Sequence, residues 1–160
     1  MNRAPVVADP ASGPTGDAHR RRGLAVTGLV ATLAAMAATA VAASLARAVG
    51  VDFEVPAGGE TIPVTGVAVV TGFFSLVGTV IAAGLLLWSA RPAERFVWTA
   101  VSLTVVSLVP PFVSGANAAT TATLLGLHLV AATVMIPTLT RSLRVIAQRS
   151  EHLTGSIDAD

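Results

Sequence analysis

One ionisable side chain lies deep inside a long apolar stretch, and it is the first candidate for chemistry. His128 has no charged residue nearer than Arg95 and Arg141. If that stretch spans a membrane, such a group suggests a function. Three interpretations stay open: a neutral imidazole hydrogen-bonded to a neighbouring helix or to a loop carboxylate, a proton-sensitive or ligand-binding group, and a metal or haem ligand. The third lacks partners, because His19 and His152 lie near the chain ends.

Three carboxylates and one arginine lie together in a second candidate region. Asp52, Glu54 and Glu60 follow Arg47 in a short polar segment. Nearby carboxylates favour the charged form of an imidazole, so this segment and His128 would together form a proton- or ligand-responsive site. Arg47 would either pair with Asp52 or Glu60 and hold the segment in place, or extend its charge toward water from the end of a helix.

Several other kinds of chemistry lack the residues they need. The chain has no cysteine, which excludes disulfides, thiolate metal sites and covalently attached c-type haem. It shows no Ser/His/acid pattern, no glycine-rich phosphate loop and no metal-spaced cluster. No basic patch for nucleic acid exists beyond Arg20–Arg22. We therefore predict a protein that is not an enzyme, with no catalytic residue, no metal, no cofactor and no nucleic-acid partner.

The elements that carry these residues are long and apolar. Hydrophobic residues make up 53% of the chain and charged residues 12%, against roughly 25% charged in soluble domains. Arg20, Arg21 and Arg22 precede an uncharged run over 23–46, which as a helix would reach about 36 Å and so cross a bilayer core of roughly 30 Å. An alternative is a cleaved export signal ending near Ala46-Arg47-Ala48, but the run exceeds the roughly 7–15 apolar residues of a signal.

Three more uncharged runs predict three more crossings. No charge lies between Glu60 and Arg91, and none lies within 96–140, a run that suits two helices with a turn at Ser114–Asn117. Pro110-Pro111 is expected to end the third helix and Pro137 to kink or end the fourth. The predicted spans are about 24–46, 64–88, 96–113 and 120–139.

Arginine distribution predicts the sidedness of these spans. With four crossings, the arginine triplet falls on one side together with the later arginines, which are Arg91, Arg95, Arg141, Arg144 and Arg149. Because arginine is enriched on the cytoplasmic side, both termini should be cytoplasmic and the loop with the carboxylates should face outward. We predict a multi-pass protein of the plasma membrane.

The segments outside the spans predict two terminal tails and one structured loop. Residues 1–21 are rich in proline, glycine and small polar residues and predict a disordered tail, and 146–160 predict a second cytoplasmic tail that begins with a short interfacial helix. In the first outer loop, Val51, Phe53 and Val55 alternate with acids, which predicts a short extended or hairpin segment.

Together these features predict an all-α membrane protein, with residues 22–145 forming an up-and-down antiparallel bundle of four transmembrane helices. Small residues recur along one face of the first and second spans, which suits helix packing or contact with a protein partner or a second copy within the lipid bilayer. The expected role is non-enzymatic: a structural, accessory or sensing component. The rival is a small-molecule or ion-handling protein that uses His128 and the outer carboxylates.

Four local motifs carry a family resemblance over roughly residues 22–145. They are Gly50-Val51, the turn Pro56–Gly59, Pro110-Pro111, and the run from Leu127 through Ala132 to Pro137 and Arg141. In these the chain resembles small actinobacterial integral membrane proteins of four helices whose family has no assigned function. The resemblance implies the fold and a membrane location, and it implies no reaction, cofactor or partner.

Overall fold

The fold is a bundle of long apolar helices. The computed structural model describes residues 14–55 and 60–157, and side-chain environments for 18–53 and 61–149. The elements are α1 Pro14–Ala48, β1 Glu54–Val55, β2 Glu60–Thr61, α2 Val64–Trp88, α3 Pro92–Ser107, α4 Val109–Val113 and α5 Ala118–Ile157. Four segments are long and apolar enough to cross a bilayer: Ala18–Ala48, Val64–Trp88, Pro92–Val113 and Ala118–Arg149. The predicted all-α, four-span membrane fold is confirmed.

Helices α1 and α2 pack closely and antiparallel along small residues. Gly28 of α1 faces Thr79 of α2, whereas Gly72 of α2 faces Met36, eight residues later on α1. A methyl group added at Gly72 would lie only 2.7 Å from the Met36 sulfur. The small residues therefore bring two backbones together within the chain, which is how such residues commonly work in membranes.

The buried side chains form two clusters at the two ends of the bundle. We call the end at which α1 begins and α2 joins α3 the arginine end, and the end that carries residues 49–63 the loop end. The arginine-end cluster contains Leu24, Ala31, Ala35, Ala82, Phe96, Met135, Leu139 and Leu143. The loop-end cluster contains Ala43, Phe53 and Leu127, with Ala42, Ala46, Val51, Ile62, Val64, Val67 and Leu124 packed against it.

The third span ends at Val113 as predicted, but it differs from its prediction at its start and in its interior. It begins at Pro92 rather than near Phe96, and it is interrupted at Leu108 between α3 and α4. α3 ends at Ser107, just before Pro110 and Pro111, but Val109 is helical against expectation, because it begins α4. Both prolines lie in the first turn of α4, where a backbone N–H has no partner within the helix and its absence costs little.

The first and last helices are longer than predicted. α1 begins at Pro14, so residues 14–21 are helical rather than part of a disordered tail, while residues 1–13 lie outside the described residues. α5 passes through Pro137 and continues to Ile157, so the predicted interfacial helix is continuous with the fourth span. Its 40 residues correspond to about 60 Å, roughly twice the thickness of a bilayer core.

The loop between α1 and α2 contains a short antiparallel pair where the sequence predicts an extended or hairpin segment. Glu54 pairs with Thr61, and Val55 pairs with Glu60. The predicted turn over 56–59 lies outside the described residues. The pair leads the chain from the end of α1 to the start of α2.

Candidate functional site at the loop end

The end of α1 directs the chain back over the bundle. Gly50 has a φ of +92°, a conformation that glycine adopts without the cost of a Cβ. The Gly50 N–H donates to the Arg47 carbonyl at 2.9 Å and the Val51 N–H donates to the Ala46 carbonyl at 3.0 Å. These two bonds make a Schellman cap, and Val51 then packs against the loop-end cluster.

Phe53 is the centre of the loop-end cluster and the most unusual backbone position in the loop. Its side chain is 1% exposed and packs with Ala43 of α1 and Leu127 of α5. Its φ is +51°, which costs a residue with a Cβ about 1–2 kcal/mol. The Phe53 carbonyl accepts from the Ile62 N–H at 3.2 Å. Burial of the ring, worth about 2–3 kcal/mol, offsets this strain.

This geometry corrects the predicted alternation of strand residues over 51–55. Regular pairing begins only at Glu54, because the left-handed backbone of Phe53 turns its ring into the bundle.

Arg47 holds the loop in place by contacts with Ile62 and Phe53. Its Nη2 donates to the Ile62 carbonyl at 2.6 Å, and its guanidinium carbon lies 5.7 Å from the centroid of the Phe53 ring. We call Arg47, Phe53 and Ile62 the clasp. Two carboxylate partners were predicted for Arg47: Asp52 forms no ion pair with it among the described side chains, and the side chain of Glu60 lies outside them. The guanidinium bonds a backbone carbonyl and covers an aromatic face.

His128 bonds to its own helix. Its Nδ1 lies 2.8 Å from the Leu124 carbonyl oxygen. A carbonyl only accepts, so Nδ1 carries the donated proton, and in a neutral ring Nε2 is the acceptor. The partner expected from sequence, on a neighbouring helix or a loop carboxylate, is therefore corrected to a backbone carbonyl one turn earlier. Leu124 and Leu127 connect this position to the loop-end cluster.

The structure gathers part of the predicted site around Phe53. Arg47 contacts the ring directly, Asp52 precedes it with an exposed side chain, and His128 adjoins the cluster through α5. Glu54 and Glu60 are placed in adjacent strands, but their side chains lie outside the described ones. Within the described part of the chain, no three histidine or acidic residues come together as a possible metal site. A shared role for the five residues stays a prediction.

Sequence reasoning overlooked two members of the clasp, Phe53 and Ile62, and it also overlooked the cap at Gly50. Phe53 was assigned to a strand, although its place between two acids in a polar loop is an available sign of burial. Gly50 directly after a long helix is an available sign of a Schellman cap. The Ile62 carbonyl has no sequence signal, because a backbone acceptor is selected by the fold and not by residue type.

The predicted topology arginines lie at the other end of the bundle. Arg20–Arg22 lie in α1 beside Leu24, and Arg91 and Arg144 line one groove. Arg91 makes an exposed ion pair with Glu94, three residues later, at 3.5 Å. The remaining two, Arg95 and Arg141, are exposed near the same end.

The chain was compared with protein families, curated proteins and solved structures. The family model that matches covers residues 19–145, and it is described as a family of unknown function. The matched range contains the second and third apolar spans, most of the first and fourth, the clasp and His128. No curated protein and no solved structure matches the chain.

Proposed function

The chain belongs to this family of unknown function, DUF6069, and we propose that it is a non-enzymatic protein of the plasma membrane that serves as a structural, accessory or sensing component. Its four membrane-capable helices make it a multi-pass membrane protein. The proposal adds that both termini are cytoplasmic, that the clasp faces outward, and that a protein partner recognises the clasp.

The local pairing of the polar side chains within the spans carries this proposal. Hydroxyl groups from all four spans donate to carbonyls of their own helices: Thr39 to Ala35, Thr79 to Ser75, Thr104 to Ala100, and Thr138 to Val134. His128 follows the same pattern. Hydroxyl groups bonded in this way have their partners within their own helices, so they need none from a ligand or a water-filled path. The ordered loop end is therefore the part of the predicted site that supports recognition by a protein partner.

The orientation rests on charge. Eight arginines lie near the arginine end or in the part of α5 that follows residue 139. Arg47 lies at the loop end with three acids. Since positive residues are retained in the cytoplasm, this asymmetry supports cytoplasmic termini. Alkaline phosphatase inserted after Gly59 should be active and the same reporter after Asp160 inactive, with a fluorescent protein giving the opposite pattern. Activity only at the C-terminal position would overturn the orientation.

A partner test addresses the accessory role. After extraction in a mild detergent, we expect a stoichiometric protein to co-purify with the natural chain. Arg47→Gln should reduce its recovery several-fold, while Arg91→Gln at the opposite end should retain it. Equal recovery with both variants would contradict recognition through the clasp.

One observation favours the rival, a small-molecule or ion-handling protein. The Leu124 bond uses only one His128 nitrogen, and three buried hydroxyls, Thr32, Thr120 and Thr140, lack partners among the described residues. His128→Gln and His128→Ala separate the two roles. If both variants abolish a pH-dependent response at unchanged stability, the rival is supported. If His128→Ala only lowers stability and His128→Gln retains it, the imidazole is structural.

A further inference from the structure

A groove opens at the arginine end between the start of α3 and the far part of α5. Its volume is about 360 Å³, within the usual size range of small-ligand sites. The residues that line it are Ala90, Arg91, Pro92, Ala93, Glu94, Val97, Trp98, Arg144, Ala147 and Gln148. Neither the clasp nor His128 contributes to it, so it is a separate feature.

The charged groups of the groove leave one guanidinium available. Arg91 is paired with Glu94, with both side chains more than half exposed. Arg144 is exposed, and among the side chains described it has no acidic partner. The groove thus holds two cations and one anion, and its excess positive charge suits an anionic group. Guanidinium groups match phosphate oxygens especially well, because they donate two parallel hydrogen bonds.

The groove lies where the apolar spans end. Trp98 is 69% exposed and lines it, as an aromatic ring at the level of lipid headgroups would. Val101 and Val105 continue from Trp98 at helical spacing along α3, and both are exposed. This strip runs from the charged groove toward the hydrocarbon region. A molecule with a phosphate at one end and an alkyl chain at the other would match both parts.

We propose that this groove binds the headgroup of an anionic phospholipid, with its phosphodiester on Arg144 and Arg91 and an acyl chain along Trp98, Val101 and Val105. The lipid bilayer supplies this ligand, and basic pockets between helices are known to select such lipids. The inference requires only that the chain is inserted in a membrane. It holds whether or not a protein partner recognises the clasp.

The two tryptophans allow a direct test. Trp88→Phe leaves Trp98 as the reporter in the groove, and Trp98→Phe leaves Trp88, which is 85% exposed and lies outside the lining. Each full-length variant is reconstituted in phosphatidylcholine vesicles with increasing fractions of brominated phosphatidylglycerol or brominated phosphatidylcholine. Bromine quenches the fluorescence of an indole that the lipid contacts. Trp98 should be half-quenched at an about fivefold lower fraction of phosphatidylglycerol than of phosphatidylcholine.

Arginine variants identify the source of that preference. In the Trp98 reporter, Arg144→Gln should remove the preference, and Arg91→Gln should reduce it. Arg149→Gln is the matched control, since Arg149 is also exposed on α5 but does not line the groove. It should retain the preference. The Trp88 reporter should show less than about a twofold difference between the lipids.

Three results would overturn the proposal. Equal quenching of Trp98 by both lipids would remove the selectivity. An effect of Arg149→Gln as large as that of Arg144→Gln would show only general surface charge. Inorganic phosphate, added to protein in phosphatidylcholine vesicles, tests the soluble source: an Arg144-dependent change in Trp98 fluorescence, without any lipid preference, would assign the groove to a free phosphate compound.

Discussion

The two ends of this bundle meet their surroundings in different ways. At the loop end, a glycine cap, a buried phenylalanine and an arginine bonded to a carbonyl close the chain over the helices. At the arginine end, guanidinium groups lie on an open groove, and the ion pair that is present is exposed. One arginine at the loop end stabilises the fold, while Arg144 at the other end has no acidic partner among the described side chains.

The difference follows from what each charge contacts. Arg47 donates a hydrogen bond to the Ile62 carbonyl, which would otherwise accept one from water. Its charge also lies at the C-terminal end of α1, where the helix dipole favours a cation. Arg91 and Glu94 lie near each other in water, where an ion pair gains little. Substitutions at the loop end should therefore change the free energy of unfolding several-fold more than substitutions of the Arg91–Glu94 pair.

The largest effect should come from removing the ring at the loop end. Phe53→Ala should lower the free energy of unfolding by about 3–5 kcal/mol, because it empties the middle of a buried cluster. SDS titration of the protein in mixed micelles measures this quantity. Phe112→Ala is the matched control, since that phenylalanine is 67% exposed in α4 and should change stability by less than about 1 kcal/mol.

A glycine at the same position separates packing from backbone strain. Phe53→Gly loses the same ring but relieves the positive φ, so it should be more stable than Phe53→Ala by about 1 kcal/mol. At positions with a negative φ, an alanine variant is normally more stable than the glycine variant. If Phe53→Ala proves the more stable variant, the left-handed backbone is not retained.

The next effect tests whether α1 and α2 are tightly packed near the arginine end, beneath the exposed groove. Gly28 lies on the tight side of the α1–α2 contact, where an added methyl group would collide with the side chain of Thr79. Thr79 is held by its bond to the Ser75 carbonyl at 3.0 Å. Gly28→Ala should therefore destabilise the protein by about 1–3 kcal/mol in the same titration.

Gly78 on α2 provides the control of opposite sign. A methyl group there meets nothing within 4 Å, so Gly78→Ala should raise stability by about 0.5–1 kcal/mol through helix propensity. Equal effects of the two substitutions would mean that α1 and α2 are not in close contact at Gly28.

A smaller effect is expected at the arginine of the clasp. Arg47→Gln should lower the free energy of unfolding by about 1 kcal/mol, since it removes a charged hydrogen bond at an exposed position. It should also increase proteolysis within residues 50–61 in membrane vesicles, because the loop loses its attachment to Ile62. Protection equal to that of the natural chain would show that Phe53 alone holds the loop.

The spans could be predicted because length and charge are local properties. The uncharged runs identify four helices, and the arginines mark one end of the bundle, since both follow from the cost of placing charge in hydrocarbon. The small residues of α1 could also be assigned to the packed face from their spacing alone. These inferences need no knowledge of which helix lies beside which.

The errors lie where tertiary contacts override local preference. Pro110 predicts a helix end, and α3 does end at Ser107, yet a short helix restarts at Val109 with Pro110 in its first turn, where a missing N–H costs little. Phe53 reads as a strand residue, yet its cluster holds it at a positive φ that side-chain type alone does not indicate. For Arg47 the sequence offers Asp52, Glu60 or water as partners, whereas a carbonyl fifteen residues away accepts its bond. The outcomes at Phe53 and Arg47 depend on neighbours distant in sequence, whereas the outcome at Pro110 depends on its place in the first turn of α4.

The smallest effect belongs to the exposed ion pair at the arginine end, and it should distinguish folding from binding. Arg91→Gln and Glu94→Gln should each change the free energy of unfolding by less than about 0.5 kcal/mol, since the 3.5 Å pair lies in water. If the groove binds an anionic lipid, the two variants should nevertheless diverge in vesicles that contain phosphatidylglycerol. Glu94→Gln removes a repulsive charge and should increase the preference of Trp98 for that lipid, whereas Arg91→Gln should decrease it. Changes of equal sign in both variants would mean that the ion pair itself shapes the groove, and the contrast between a closed end and an open one would then no longer hold.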